Sequence, residues 1–177
     1  MKKLIIVSAI IFGLFSNPTN AQTSDIANKK SATSLDNIIS TLYATVSGKK
    51  SQERNWNQLR SLCHQDVKFI YYGNDINGIY ELNNWTIDEY INIAGEYFRN
   101  DDFFEREIHR KVETFGPITH VFSTYESLKS EKNEKPFARG INSIQLLNDG
   151  ERWWIINIYW ASESEKNPIP AKYLPKN

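Results

Sequence analysis

Cysteine is almost absent: the single thiol, Cys63, allows no internal disulfide. It lies beside Leu59 and Leu62 at helical spacing, the place of a small core residue rather than of a nucleophile. A chain of 177 residues without a disulfide is held by its core, and the length suits one domain. A charge bias is missing too. The 21 Lys and Arg balance 21 Asp and Glu, which excludes the basic footprint of a nucleic-acid binder. The densest charged run, residues 129–135, mixes signs and reads as a solvated loop. There is no Gly-rich phosphate loop, HExxH, CxxC or nucleophile-elbow pattern, so neither a cofactor nor a metal centre is expected. The one long apolar run, residues 4–15, is broken by Ser8 and Gly13 and falls short of the about 20 residues of a membrane span.

That run is informative in another way. Lys2 and Lys3 precede it, and Pro18 and Thr19-Asn20-Ala21 follow, the layout of a cleaved signal peptide covering residues 1–21. The protein is therefore expected in the periplasm or the medium, with no membrane span in its mature form. Residues 22–33 are polar and aperiodic and read as a disordered leader before a domain at 34–177. Loss of Lys2 and Lys3 leaves 19 basic and 21 acidic side chains, a mild negative balance.

From Ser34 onwards the pattern is that of ordered structure. Leu35, Ile38, Ile39, Leu42, Tyr43 and Val46 make one apolar helical face behind an N-cap serine. Trp56, Leu59 and Leu62 suggest a second, shorter helix, and residues 67–72 a strand. Residues 74–84 read as loop or a small hairpin. Thr86-Ile87-Asp88-Glu89 is a capping box, opening a helix with Ile87, Tyr90, Ile91, Ala94, Tyr97 and Phe98 on its apolar stripe. Two long hairpins complete the chain: 103–115 with 118–128 about Gly116-Pro117, and 138–147 with 151–160 about Asp149-Gly150. A tail with Pro168, Pro170 and Pro175 is expected to lie extended on the surface. Helices gathered against an antiparallel sheet make the fold class α+β.

This order, over about residues 34 to 165, resembles the NTF2-like superfamily. The stretch from Phe115 to Ser127 carries the likeness furthest, with Arg139 to Leu147 and Asp149 to Ile155 as companions. Together they resemble SnoaL-like and DUF4440-like bacterial proteins. The resemblance implies a strongly bent antiparallel sheet wrapped around two to three N-terminal helices into an open cone. It also implies a habit of dimerising through the outer sheet face. Catalysts of the superfamily generally use an Asp, often with a Tyr or His, inside the cone, and no such motif matches this sequence residue by residue.

Strand parity gives candidate site residues. Counted out from Asp149-Gly150, Asn148 faces Glu151, Gln145 faces Trp154, Ser143 faces Ile156 and Arg139 faces Trp160. The same counting about Gly116-Pro117 puts Ile108, Arg110, Val112, Val121, Ser123 and Tyr125 on one face. Aimed into the cone, these sets make Arg110, Ser123, Tyr125, Arg139, Ser143, Gln145, Trp154 and Trp160 the expected ligand-binding residues. Two guanidinium groups would favour an anionic ligand; alternatively each pairs with a local Glu at the rim or stacks on a Trp. Ile144, Leu146, Trp153, Ile155 and Tyr159 fall on the opposite face, the expected homodimer interface unless the tail covers it. His120, facing Glu113, is a candidate acid–base pair if the inward assignment is reversed. His109 lies roughly 13 Å along from Glu113, too far to share a metal ion. His64 near Asp66 reads as a capping or surface contact. The functional expectation is an exported domain binding a small, anionic organic ligand in its cone. The alternatives are an isomerase, dehydratase or hydrolase working there with an acid/base pair, and a dimeric assembly module.

Overall fold

The computed structural model describes residues 31–74, 79–132 and 135–176. The signal-peptide segment and most of the expected leader lie outside the described residues. Of residues 31–33, assigned by sequence to the leader, Ala32 is fully buried and its carbonyl accepts from the Trp153 amide at 2.9 Å, while Thr33 is exposed.

Helix α1, Leu35–Val46, begins where the Ser34 side chain accepts from the Asn37 amide at 3.1 Å. Its buried stripe is the expected one, from Ile38 to Val46. The guanidinium of Arg54, only 5% exposed, closes its far end by donating to the carbonyls of Val46, Gly48, Lys49 and Gln52. The Val46 carbonyl belongs to the last turn of the helix, where no intrahelical donor is left for it. Helix α2, Trp56–Leu62, runs directly into strand β1, Cys63–Asn74. Strand β2, Tyr80–Trp85, pairs back on β1, so the hairpin alternative holds for this segment. Helix α3, Ile87–Asn100, has the capping box read from sequence, with Thr86 and Glu89 bonded reciprocally. Strands β3, Phe104–Phe115, β4, Ile118–Leu128, β5, Ala138–Asn148, and β6, Trp153–Ser162, follow.

The strands form one curved, unclosed sheet in the order β2-β1-β6-β5-β4-β3. Every neighbouring pair is antiparallel except β1 with β6. The helices cover its concave face, and the core between the layers holds Ile38, Ile39, Leu59, Leu62, Val121, Ile144, Leu146 and Ile155. No helix among the described residues is long and apolar enough to cross a membrane.

Both hairpins depart from simple parity through a bulge, and the second also through a longer loop. About Gly116-Pro117 the expected register holds near the turn, with Phe115 opposite Ile118 and Glu113 opposite His120. A bulge then leaves Ile108 without a cross-strand partner, and Glu107 falls opposite Tyr125. About the second turn, Asn148 pairs with Trp153 rather than Glu151, so the loop holds four residues instead of two. A bulge at Ile156 follows, and Gln145 falls opposite Asn157. The inner face of β5 is therefore Asn142, Ile144 and Leu146, the reverse of the sequence expectation. Ile144, Leu146 and Ile155 are at most 2% exposed beneath the helices, so the protomer's own core occupies the face assigned to a dimer. Trp153 also packs on that core, while Tyr159 is on the outer face, 42% exposed.

The tail crosses the outer face. The Thr124 hydroxyl donates to the Tyr173 carbonyl at 2.6 Å, and the rings of Phe122 and Tyr173 lie 4.9 Å apart. A short 3-10 turn, Ala171–Tyr173, interrupts the extended run.

Candidate functional site

The open end of the cone holds a cavity of about 480 Å³ between α1, α3 and the concave sheet. Its wall is mostly aromatic: Phe69 and Tyr71 from β1, Tyr90 and Tyr97 from α3, Tyr125 from β4 and Trp160 from β6, with Phe103 and Phe137 beside them. Leu42, Val46 and Ile158 fill the gaps. The polar lining is sparse: Glu105, Ser127, Asn142 and Ser162 besides the phenols. This is the usual composition of a small-molecule site.

Glu105 is the one carboxyl among the described lining residues, and no Lys, Arg or His accompanies it. Its backbone is fixed by Ser47, at the end of α1. The Ser47 hydroxyl accepts from the Glu105 amide at 2.9 Å and donates to the Tyr43 carbonyl at 2.8 Å. A backbone bridge between Gly48 and Phe103, at 2.7 and 3.0 Å, ties the same junction. The carboxylate accepts from the Ser127 hydroxyl at 3.2 Å and from Asn142. Burial among aromatic side chains dominates over these bonds and pushes its pKa up to about 7.

Behind Glu105 runs a chain of polar groups to the rim. The Asn142 amide donates to Tyr43 Oη at 3.0 Å, which lies 2.7 Å from Ser123 Oγ. Ser123 donates to Glu107 Oε1 at 2.5 Å. Glu107 in turn accepts from Arg110 Nε at 2.8 Å, and Arg110 Nη1 reaches Asp36 at 2.8 Å. Burial, reinforced by Glu105, raises the Tyr43 pKa and keeps the phenol protonated.

Gly140 shapes the cavity by what it lacks. A Cβ there would stand 2.4 Å from both the Tyr125 hydroxyl and the Ala161 carbonyl. Tyr125 therefore occupies space left by a missing side chain, with its hydroxyl 3.3 Å from Ser162.

The sequence-expected ligand residues divide into three groups. Tyr125 and Trp160 line the cavity. Trp160 does so because the Ile156 bulge restores its phase. Arg110 and Ser123 face inward but are consumed in the polar chain. Arg139, Ser143, Gln145 and Trp154 lie on the outer face, displaced by the longer loop. Arg139 binds Glu163 at 2.8 Å and lowers the Glu163 pKa, the rim pairing that stood as the alternative. Trp154 donates to Asp149 at 2.7 Å under the Arg152 guanidinium. Ser143 lies 2.9 Å from His120 Nε2, bordering a hollow of about 320 Å³ beneath the tail. Glu113 faces His120 on that outer side, and His109 faces Thr124 there, its Nε2 buried without a hydrogen-bond partner among the described residues. His64 contacts Asp66 at the surface, 3.5 Å apart. Cys63 is buried, and that burial pushes its pKa up to about 12, an inert thiol. Among the described residues no cluster of three His, Cys, Asp or Glu could hold a metal.

Glu105 escaped sequence reading. The same Ile108 bulge that places it inside made it count as outer by parity. Its one sequence signal is position: it follows Phe103-Phe104 at the head of the strand.

No family model matches the chain, and no curated protein sequence does. Solved structures do. A variant of Rv3472 from Mycobacterium tuberculosis, of unknown function, aligns with a TM-score of 0.57 at 11% identity, over 89% of this chain and 83% of that one. A protein of unknown function with a cystatin-like fold from Nostoc punctiforme gives 0.56 at 5% identity, over 74% and 90%. LinA gives 0.54 at 8% identity, over 90% and 99%. At such identities the likeness is one of fold. Among the described residues, three helices laid into a curved six-stranded sheet give the chain an α+β cone, which it shares with these neighbours as a fold alone.

Proposed function

We propose that the cone binds a small, largely apolar organic molecule and that Glu105 reads the polar end of that molecule. One observation carries this: a single carboxyl group, pushed up to about 7 by burial, in an aromatic cavity whose other described lining residues are uncharged. An anionic ligand is disfavoured, because Arg110 and Arg139 are both held in ion pairs away from the cavity. Ligand-observed NMR with a panel of small aromatic and alicyclic compounds tests the proposal. Ala138, at the start of β5, also lines the cavity, and binding to the wild type that is lost when Ala138→Trp fills that space is expected. Equal binding to both proteins, or binding to neither, refutes it.

A second reading follows from the same carboxyl. A group whose pKa lies near neutrality is suited to take a proton from carbon and return it, the step common to isomerases and lyases. Turnover that disappears in Glu105→Gln while ligand affinity persists favours this reading. For the domain's setting we propose export through the segment ending at Ala21, on the basic, apolar and small-residue order of residues 1–21. We also propose a homodimer through the outer face of β1, β2 and β6, where Tyr72, Tyr80, Leu82 and Tyr159 are exposed. Sedimentation of the wild type and of Leu82→Glu checks it: a dimer dissociated by the added charge supports it, and a wild-type monomer refutes it.

A further inference from the structure

The cavity contains a charge site without a counter-charge. Among its described lining residues Glu105 has no cationic partner, and the cations nearby are already engaged. Arg110 is bound by Glu107 and Asp36, and Lys129, outside the mouth, by Asp101 at 2.9 Å. When the carboxyl ionises, its charge is therefore compensated only by the neutral donors Ser127 and Asn142. A buried carboxylate in that condition either takes up a proton or gains from a cation brought in from solution.

The walls suit such a cation. Phe69 and Tyr90 stack at 4.2 Å between centroids, Tyr90 meets Trp160 edge-on at 6.2 Å, and Tyr71 leans on Trp160 at 5.5 Å. Aromatic faces attract ammonium groups through the ring quadrupole, most strongly where water is excluded. The protein already uses two rings of this cavity in that way. Lys129 Nζ sits 4.8 Å from the centroid of Phe137 and 5.7 Å from that of Tyr97.

We propose that the ligand of the cone is a small organic cation, an alkyl- or arylammonium, with its charge against Glu105 and its carbon groups on the aromatic wall. This rests on the binding reading above and narrows it to one chemical class. It also requires the carboxylate form of Glu105. The titratable groups around that carboxylate are Tyr43 from α1, Tyr90 from α3 and Tyr125 from β4, with Tyr71 and Tyr97 elsewhere on the cavity wall, Lys129 over the Tyr97 ring and Glu107 further along its own strand. Asn142 from β5 and Trp160 and Ser162 from β6 do not titrate. Burial raises the pKa values of Tyr43, Tyr90 and Tyr125, so they stay neutral, and Glu107 is neutralised by Arg110. Affinity for a cation therefore rises with pH through the ionisation of Glu105, and binding releases a proton.

Phenyltrimethylammonium and its uncharged carbon isostere tert-butylbenzene separate charge from shape. Their affinities for the full chain are measured by ligand-observed NMR at about pH 8.5 and about pH 5.5, above and below the Glu105 ionisation. The ammonium compound is expected to bind at least about tenfold more tightly than the isostere at the higher pH. That preference should vanish at the lower pH and in Glu105→Gln, whose amide keeps the shape of the site. If the isostere binds as well as the cation at the higher pH, the inference fails and the binding cone stands. If the preference survives Glu105→Gln, the inference fails as well, because the charge is being read elsewhere. Binding of neither compound overturns both the inference and the reading on which it rests.

Discussion

The Glu105 carboxyl imposes a cost on folding that depends on pH, and the cost can be worked out. Its pKa rises from the ordinary 4.5 to about 7, with burial the main cause. Between those two values the folded protein holds a proton that the unfolded chain has released. Stability therefore falls as pH rises from about 4.5 to about 7 and is level in this term on either side. At 1.36 kcal/mol per pH unit the full loss is about 3 kcal/mol, an upper figure because the carboxyl opens onto the cavity. Glu105→Gln removes the charge and retains groups that bond Ser127 and Asn142. The variant should match the wild type near pH 4.5 and exceed it by up to about 3 kcal/mol at pH 8. Other shifted carboxyls act in both proteins and cancel in the difference: Glu89, Asp149 and Glu163 have lowered pKa values and lose stability as pH falls. Urea unfolding of both proteins at five pH values gives the difference directly. A gap between the two that does not change with pH would show that Glu105 is solvated, and the electrostatic description of the cavity would be wrong.

Three further outcomes follow from the packing. Gly140→Ala should cost about 1–3 kcal/mol in urea unfolding and alter Tyr125 fluorescence or NMR shifts, since the new methyl meets both a backbone carbonyl and the Tyr125 hydroxyl. No loss of stability would contradict the close approach of β5 to that side chain. Tyr43→Phe removes the hinge of the polar chain and leaves Ser123 and Asn142 short of a partner. It should cost about 1–3 kcal/mol, read from the unfolding midpoint, and a neutral effect would mean the chain is bridged by water. Arg139→Ala breaks a partly exposed ion pair on the outer face and should cost under about 1 kcal/mol, with ligand affinity unchanged. A lost ligand would restore the guanidinium to the site.

Legibility from sequence followed the local character of each signal. The Thr86 capping box and the Ser34 N-cap are decided within four residues, and both formed as read. The Gly116-Pro117 turn is short, so counting outward paired Glu113 with His120 correctly. Parity is a long-range inference, however, and one extra residue reverses it. The bulge at Ile108 turned Glu105 and Glu107 inward, and the four-residue loop before Trp153 sent Ser143 and Gln145 outward. The bulge has no glycine or proline to announce it, and the Gly150 of the longer loop is the same residue that a two-residue turn would use. In the second hairpin the two departures offset each other beyond Ile156, and for that reason Trp160 reached the cavity as expected while its supposed partner Arg139 did not. The burial of Ala32 was hidden differently: a lone small residue in a polar stretch carries no periodic pattern, and its place follows from packing on the core and from the Trp153 amide, both distant in sequence.

Glu105 stands in the cone as a desolvated carboxyl with no cationic partner among the described lining residues. Carbon-13 NMR of its side-chain carboxyl in the wild type, assigned by loss of the resonance in Glu105→Gln, measures this most directly. A titration midpoint near 7 that moves downward when phenyltrimethylammonium is added is expected. A midpoint near the ordinary 4.5, unmoved by the cation, would contradict it.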